Sequence, residues 1–180
     1  MLIQAEQSAL LVVDIQSRLL PAMAAPEPVV ANASKLMIAA TRLGVPILVS
    51  EQYPKGLGPS VPEIAALTPT GAVLEKTAFS CAADAAIVAR VGELGRRQLV
   101  LCGIESHVCV LQTAIGFRAL GYEIAVAWDA TGSRREADKA LAADRLRAED
   151  VTLAGVEMVL FEWLGRAGTP EFKEISALIK

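Results

Sequence analysis

The sequence predicts an α/β fold: a three-layer α/β/α sandwich in which helices cover both faces of a sheet of parallel strands. Three observations point there. Short apolar runs alternate with longer amphipathic stretches along the chain. The runs are near-continuously apolar, without period-two alternation, as strands buried on both faces of a parallel sheet should be. Hydrophobic residues make up 53% of the chain but aromatic ones only 4%, with alanine filling much of the difference. That composition suits close-packed helices on a sheet better than an aromatic-rich all-β core.

The elements follow in order. Ala9–Val13 is the first apolar run, followed by a helix-like stretch over Val29–Leu43. Val45–Val49 is the second, and it leads into an irregular segment from Ser50 to Pro69. That segment carries Pro54, Gly56, Gly58, Pro59 and Pro62 and is long enough to serve as a lid or binding loop. Ala72–Leu74 precedes a helix over Ala83–Leu94, and Leu99–Cys102 precedes one over Val108–Leu120. In the latter, Val108, Leu111, Ile115 and Ala119 form an apolar stripe at helical spacing. Ile124–Trp128 precedes a helix over Arg135–Ala148, and a weaker sixth run lies at Val151–Leu153. Glu157–Leu164 and Glu171–Ile179 read as two further helices. Gly44, Gly95 and Gly121 each stand between a helix and a strand, where helix-stopping glycines belong. No repeat, low-complexity tract or linker divides the chain, so residues 1–180 are expected to form a single domain.

Composition excludes several classes. Charged residues are 21% of the chain, and no stretch reaches the roughly 18 apolar residues of a spanning helix. Met1–Val13 lacks the basic start and cleavage site of a signal peptide. A net charge of -3 offers no electrostatic footprint for nucleic acid. Three cysteines, an odd number without a CxxC pair, favour a reducing cytoplasmic setting over a disulfide framework. A single histidine rules out a site built from several imidazoles. Gly56-Leu57-Gly58 is a lone GxG outside a strand-to-helix turn, and no Walker lysine motif occurs. No cofactor is expected.

Ligands of open parallel sheets bind beyond the carboxyl ends of the strands. Asp14, Glu51, Lys76, Gly103 and Asp129 follow or close successive runs and would share that edge. Cys109 then falls in the first turn of the next helix, within GIESHVC. A helix N-terminus and a nearby Lys76 both favour a thiolate there, and Asp14 offers a proton acceptor. Taken alone, Cys109 reads as a small buried apolar residue. An acid, an ammonium and a thiol together make a base, a charge-tuning group and a nucleophile. Gln16, Gln52, Tyr53 and Phe79 neighbour strand ends and are expected to bind substrate. Cys102 reads as core and Cys81 as inert though open to exposure. His107 reads as a cap or packing residue, and Asp129, Thr131 and Ser133 as a turn and N-cap before Arg134 and Arg135.

VVDIQ at Val12–Gln16, EKTAFS at Glu75–Ser80 and GIESHVCV at Gly103–Val110 resemble the isochorismatase-like cysteine hydrolase superfamily. Their order and separation match across essentially the whole chain. EQYPKGLG at Glu51–Gly58, the stretch Ser133–Val151 and EMVLFEWLG at Glu157–Gly165 resemble more closely its isochorismatase-domain-containing subgroup. The resemblance implies a six-stranded parallel sheet and an Asp14–Lys76–Cys109 triad: proton acceptor, electrostatic stabiliser and nucleophile. It also implies a cis peptide at Ile104–Glu105 and an oxyanion hole from the N–H groups of Glu105 and Cys109. Homo-oligomers are common in the superfamily, and the apolar helix near Glu157–Leu164 is a candidate interface.

Nicotinamidases of the superfamily carry an Asp-x-His-x-x-His metal set after the second strand. Here that region reads SEQYPKG, without histidine, so no metal is expected. True isochorismatases cleave a vinyl ether without a cysteine nucleophile, whereas Cys109 favours acyl chemistry. The resulting expectation is a metal-independent hydrolase that cleaves a small amide or related acyl C–N bond through a Cys109 thioester. Its substrate is a small molecule, with neither nucleic acid nor membrane as partner. An isochorismate-type ether or ester hydrolase, a scaffold that kept the fold, and a thiol sensor are the alternatives.

Overall fold

The computed structural model describes residues 1–179; Lys180, the last residue of the expected domain, lies outside the described residues. Six parallel strands form one sheet: β1 Ser8–Val13, β2 Ile47–Gln52, β3 Val73–Lys76, β4 Gln98–Ile104, β5 Glu123–Gly132 and β6 Thr152–Ala154. Their spatial order is β3-β2-β1-β4-β5-β6. The order reverses between β1 and β4, so the crevice beyond their carboxyl ends is the topological switch point where open α/β sheets bind ligands. The residues after β1 and β4 are those that begin with Asp14 and lead to Cys109.

Helix α1, Pro26–Leu43, opens with proline at its first turn and ends at Gly44, whose left-handed φ of 68° closes the last turn. Its residues Val29, Ala33, Leu36, Met37 and Ala40 are buried, one stripe at helical spacing against the sheet. Truncating Leu36 to alanine would cost about 2–5 kcal/mol on the usual scale for buried leucines. Two short helices, α2 Pro54–Leu57 and α3 Pro62–Ala65, interrupt the segment expected to be irregular. The others are α4 Ala85–Gly92, α5 Leu111–Ala119, α6 Glu136–Ala148, α7 Val156–Leu164 and α8 Pro170–Ser176.

Two cores flank the sheet. Leu10 and Val12 of β1, with Val100 and Cys102 of β4, pack against α1, α7 and Ile175 of α8. Ala9, Leu11 and Val13, with Leu99 and Leu101, pack against Ile87 of α4, Phe117 of α5 and Leu146 of α6. Alternate residues therefore serve opposite faces, and both faces are dry, which is why the strands read as unbroken apolar runs.

Several expectations need correcting. β2 runs on through Ser50, Glu51 and Gln52, because burial at a strand end does not require apolar side chains when each finds a partner. β3 is an edge strand with Val73 and Glu75 exposed. β5 continues to Gly132 through a register shift opposite Leu101 and Gly103, so Asp129 and Thr131 lie in the strand and form no turn. Asp129 accepts the Val156 N–H at 2.7 Å and so caps α7 in place of the helix after Arg135. No helix among the described residues is long and apolar enough to cross a membrane.

Candidate active site

Asp14 leaves β1 with a φ of 52°. Simple alternation would carry it to the α1 face with Leu10 and Val12; the left-handed step redirects the chain, and aspartate tolerates that step better than most residues. Its carboxylate is fully buried and held at two points. Ser50 Oγ donates to Oδ1 at 2.7 Å and Lys76 Nζ donates to Oδ2 at 2.7 Å. Ser50 and Gln52 stand two residues apart on β2, on the same face as Leu48, toward α4 and α5. Register pairs Ser50 with Val13 and Gln52 with Lys76, which brings all four groups together at the sheet's carboxyl edge.

An ammonium has three donors. Lys76 spends them on Asp14 Oδ2, on Gln52 Oε1 at 2.8 Å and on the Phe79 carbonyl at 3.1 Å. The lysine is a pinned charge with no donor left over. Gln52 Nε2 in turn donates to the Thr77 carbonyl at 2.7 Å. Gln16 is equally committed: Nε2 donates to the Gln52 and Gly58 carbonyls, and Oε1 accepts the Gln52 N–H at 2.8 Å. Tyr53 and Phe79 are more than half exposed, at 54% and 55%. Tyr53, Pro54, Lys55, Glu75, Lys76 and Asp84 border a recess of about 370 Å³, and the Lys76 side chain itself is closed to solvent. A larger apolar recess of about 630 Å³, between Leu20, Val30, Ala31 and Val61, shares no residue with this cluster.

Cys109 is 4% exposed and lies in a π-turn, Ser106–Val110, ahead of α5. Burial pushes its thiol well above the usual cysteine range, and the Asp14 charge pushes the same way; Lys76 pulls it down less. This corrects the expectation of a helix-stabilised thiolate. The α-helix begins two residues later, and desolvation together with the Asp14 charge outweighs the lysine, so the resting group is a thiol. Cys81 is fully buried, not exposed, and burial raises it too, with Lys76 and Asp14 both acting on it. Cys102 sits in the β4 core, where burial alone raises it to about 12.

The Ile104–Glu105 peptide bond is cis. The Glu105 carbonyl accepts the N–H groups of Val108 and Val110, each at 3.1 Å. Its buried carboxylate pairs with Arg134, Nε at 2.6 Å and Nη2 at 3.2 Å. His107 Nδ1 meets Ser133 Oγ at 2.9 Å, so Ser133 and Arg134 together anchor the turn that carries Cys109. Glu51 points to the opposite face and accepts from the N–H and hydroxyl of Ser60, both at 2.7 Å. Among the described residues, no three His, Cys, Asp or Glu side chains converge as metal ligands. Ser50 and Arg134 were not singled out from the sequence as site residues. Ser50 could have been found from the period-two spacing to Gln52; nothing local marks the Arg134–Glu105 pair, which joins positions 29 residues apart.

A six-stranded parallel sheet of this order, flanked by helices on both faces, is the isochorismatase-like hydrolase fold. Residues 8–158 match the isochorismatase domain, and the chain belongs to that family. The isochorismatase domain-containing protein 1 of Salmo salar is 38% identical over 93% of this chain, which spans 59% of that relative's length. The isochorismatase domain-containing protein 2A of Mus musculus is 38% identical over 97% of this chain and 84% of its own. The MAR1 ribonuclease structure from Caenorhabditis elegans superposes with a TM-score of 0.92 at 31% identity, covering 98% of this chain and 91% of that one. YcaC of Escherichia coli, an octameric hydrolase of unknown specificity, has a TM-score of 0.91 at 23% identity, covering 97% and 89%; that likeness is one of fold alone.

Proposed function

We propose that this protein hydrolyses a small amide or related acyl C–N bond through a thioester on Cys109. The observation that carries the reading is the closed Asp14–Lys76 pair at the switch point, with both charges acting on the Cys109 thiol. A resting thiol calls for proton removal during attack rather than before it. Asp14 takes the Cys109 proton as sulfur adds to the carbonyl carbon. The oxyanion forms against the N–H groups of Glu105 and Cys109. Asp14 returns the proton to the nitrogen as the C–N bond breaks, leaving the thioester. Water then adds, Asp14 takes its proton, and that proton returns to sulfur as the acid leaves. Lys76 keeps the carboxylate charge compensated throughout. Tyr53 borders the recess beside Lys76, Phe79 offers its carbonyl to the lysine, and Gln16 and Gln52 hold the surrounding backbone in place. The thioester route itself calls for no metal, and the single histidine leaves no imidazole set of the nicotinamidase kind.

We read the assembly as a homo-oligomer, as YcaC is an octamer, with exposed Met158 and Phe161 of α7 at the contact. Three free cysteines accord with a reducing, cytoplasmic setting. The test is a panel of small amides with wild type and Cys109→Ala side by side, with intact-mass detection of an acyl adduct. Turnover by wild type alone, with the adduct on Cys109, is expected. A Cys109→Ala variant that still turns over the same amide overturns the mechanism.

A further inference from the structure

We propose that Ser50 is a positioning residue for the proton transfer: its hydroxyl holds the Asp14 carboxylate, against Lys76 on the other oxygen, in the orientation from which it takes the Cys109 proton. The inference rests on the reading of Asp14 and Cys109 given above. A carboxylate held only by a lysine on a four-carbon stem can still turn about its Cβ–Cγ bond. Here the second oxygen is fixed from a different strand at 2.7 Å, by a hydroxyl with no solvent exposure. The two residues are also tied through the main chain, because the Asp14 N–H donates to the Ser50 carbonyl at 3.1 Å. The main-chain bond keeps the two residues side by side, within reach of the hydroxyl contact. The hydroxyl also compensates part of the carboxylate charge beside the thiol. The ionisable groups acting on Cys109 are Asp14 from the end of β1, Lys76 from β3 and Cys81 from the turn before α4, and Ser50 touches the first.

A hydroxyl that only satisfied a buried acceptor would affect stability and nothing else. The experiment separates the two roles with Ser50→Ala, Ser50→Thr and Asp14→Asn. Cys109 alkylation by iodoacetamide is followed across pH, and single-turnover acylation is followed with p-nitroacetanilide, whose leaving nitrogen must be protonated. Ser50→Ala should slow acylation about tenfold or more, the worth of one hydrogen bond to a charged group. It should also move the alkylation midpoint to higher pH, because a less compensated Asp14 charge opposes a second anion more strongly. Ser50→Thr, which keeps the hydroxyl, should restore both. Asp14→Asn should lower the alkylation midpoint and abolish acylation. If Ser50→Ala melts early but keeps the wild-type midpoint and acylation rate while Asp14→Asn behaves as stated, the positioning role is overturned. If Asp14→Asn leaves the midpoint unmoved, the reading of the Asp14–Cys109 pair itself fails. Should Ser50→Ala not fold, Ser50→Cys keeps the size with a weaker donor. An intermediate loss of acylation supports the role, and wild-type behaviour overturns it.

Discussion

The Asp14 carboxylate and the Lys76 ammonium meet at 2.7 Å with both side chains closed to solvent. Bringing two charges out of water costs several kcal/mol each, and a packed hydrophobic pair of similar volume is often as stable or more so. The pair is therefore a poor device for stability. Five hydrogen bonds are spent on it across three strands and a loop: one from Ser50, three from Lys76 and one that orients Gln52. An investment of that kind is understandable where a charge must be kept in one place next to a reacting group.

Gly103 sets how closely β4 packs against Val13, the last residue of β1 and the one before Asp14. Its φ is 115°, and a Cβ built on it would lie 2.0 Å from the Val13 carbonyl oxygen and 2.7 Å from the Val13 nitrogen. Both neighbours are backbone of the central strand and cannot yield. Gly103→Ala should destabilise the protein by about 3 kcal/mol or more, at the upper end for overpacking. Gly44→Ala meets no atom within 4 Å and pays only for its left-handed φ, about 1–2 kcal/mol. Urea midpoints of the two variants decide it; equal losses would mean that the contact with Val13 is relieved elsewhere.

Much of this was legible in the sequence because a parallel sheet buried on both faces leaves an apolar run at each strand and puts function at strand ends. Asp14, Lys76 and Cys109 each stand within a few residues of such a run. The extent of β2 was not legible, since Ser50, Glu51 and Gln52 look like the start of a loop until their partners are known. Gln16 and Gln52 looked like pocket residues by position, yet their amides are committed to backbone and lysine. The thiol's state is hidden from the sequence for a related reason. Helix position is visible in sequence, but desolvation depends on what the fold closes around the sulfur.

All three thiols are raised by burial, so the fold should lose stability in alkali. The unfolded chain ionises its cysteines near the ordinary value of 9.0, while folded Cys102 keeps its proton to about 12. The folded state thus binds more protons in that window, and stability present below about pH 9 falls as pH rises through it. For Cys102 alone the loss by about pH 10.5 is about 2 kcal/mol. Denaturant unfolding at about pH 8 and 10.5 measures it, and Cys102→Ala, compared with itself at the two values, should show a smaller drop. An unchanged drop would assign the alkaline loss to other groups.

Chelation bears on the metal-free reading. Turnover of whichever amide the panel identifies should survive prolonged exposure to a strong chelator, and Cys109 acylation by p-nitrophenyl acetate should keep its rate. Activity lost on chelation and restored by one particular divalent ion would show that the mechanism needs a cation which the side chains described above do not account for.

Asp14→Asn and Lys76→Met should fail in different ways, because one residue moves the proton and the other only supplies charge. Asn keeps the shape of Asp14 but cannot accept the Cys109 proton, and loss of a general base typically costs about 10²–10⁴ in rate. It also removes the second-largest influence that raises the thiol, so the alkylation midpoint should fall even as acylation disappears. Lys76→Met keeps a long stem but deletes the group that pulls the thiol down, so the midpoint should rise. It also leaves a buried carboxylate without its partner, a loss of about 3–5 kcal/mol for broken buried pairs, so the variant must be shown to be folded before its kinetics are compared. In folded Lys76→Met, part of the lost thiol reactivity should return at alkaline pH, where hydroxide does what the lysine no longer helps Asp14 to do. Turnover by Asp14→Asn should show no such return, because raising the pH restores a thiolate but not the acid that must protonate the leaving nitrogen. Paired pH profiles of alkylation and single-turnover acylation read this directly. Midpoints that move in the same direction in both variants would mean that the charges of Asp14 and Lys76 do not oppose one another at Cys109.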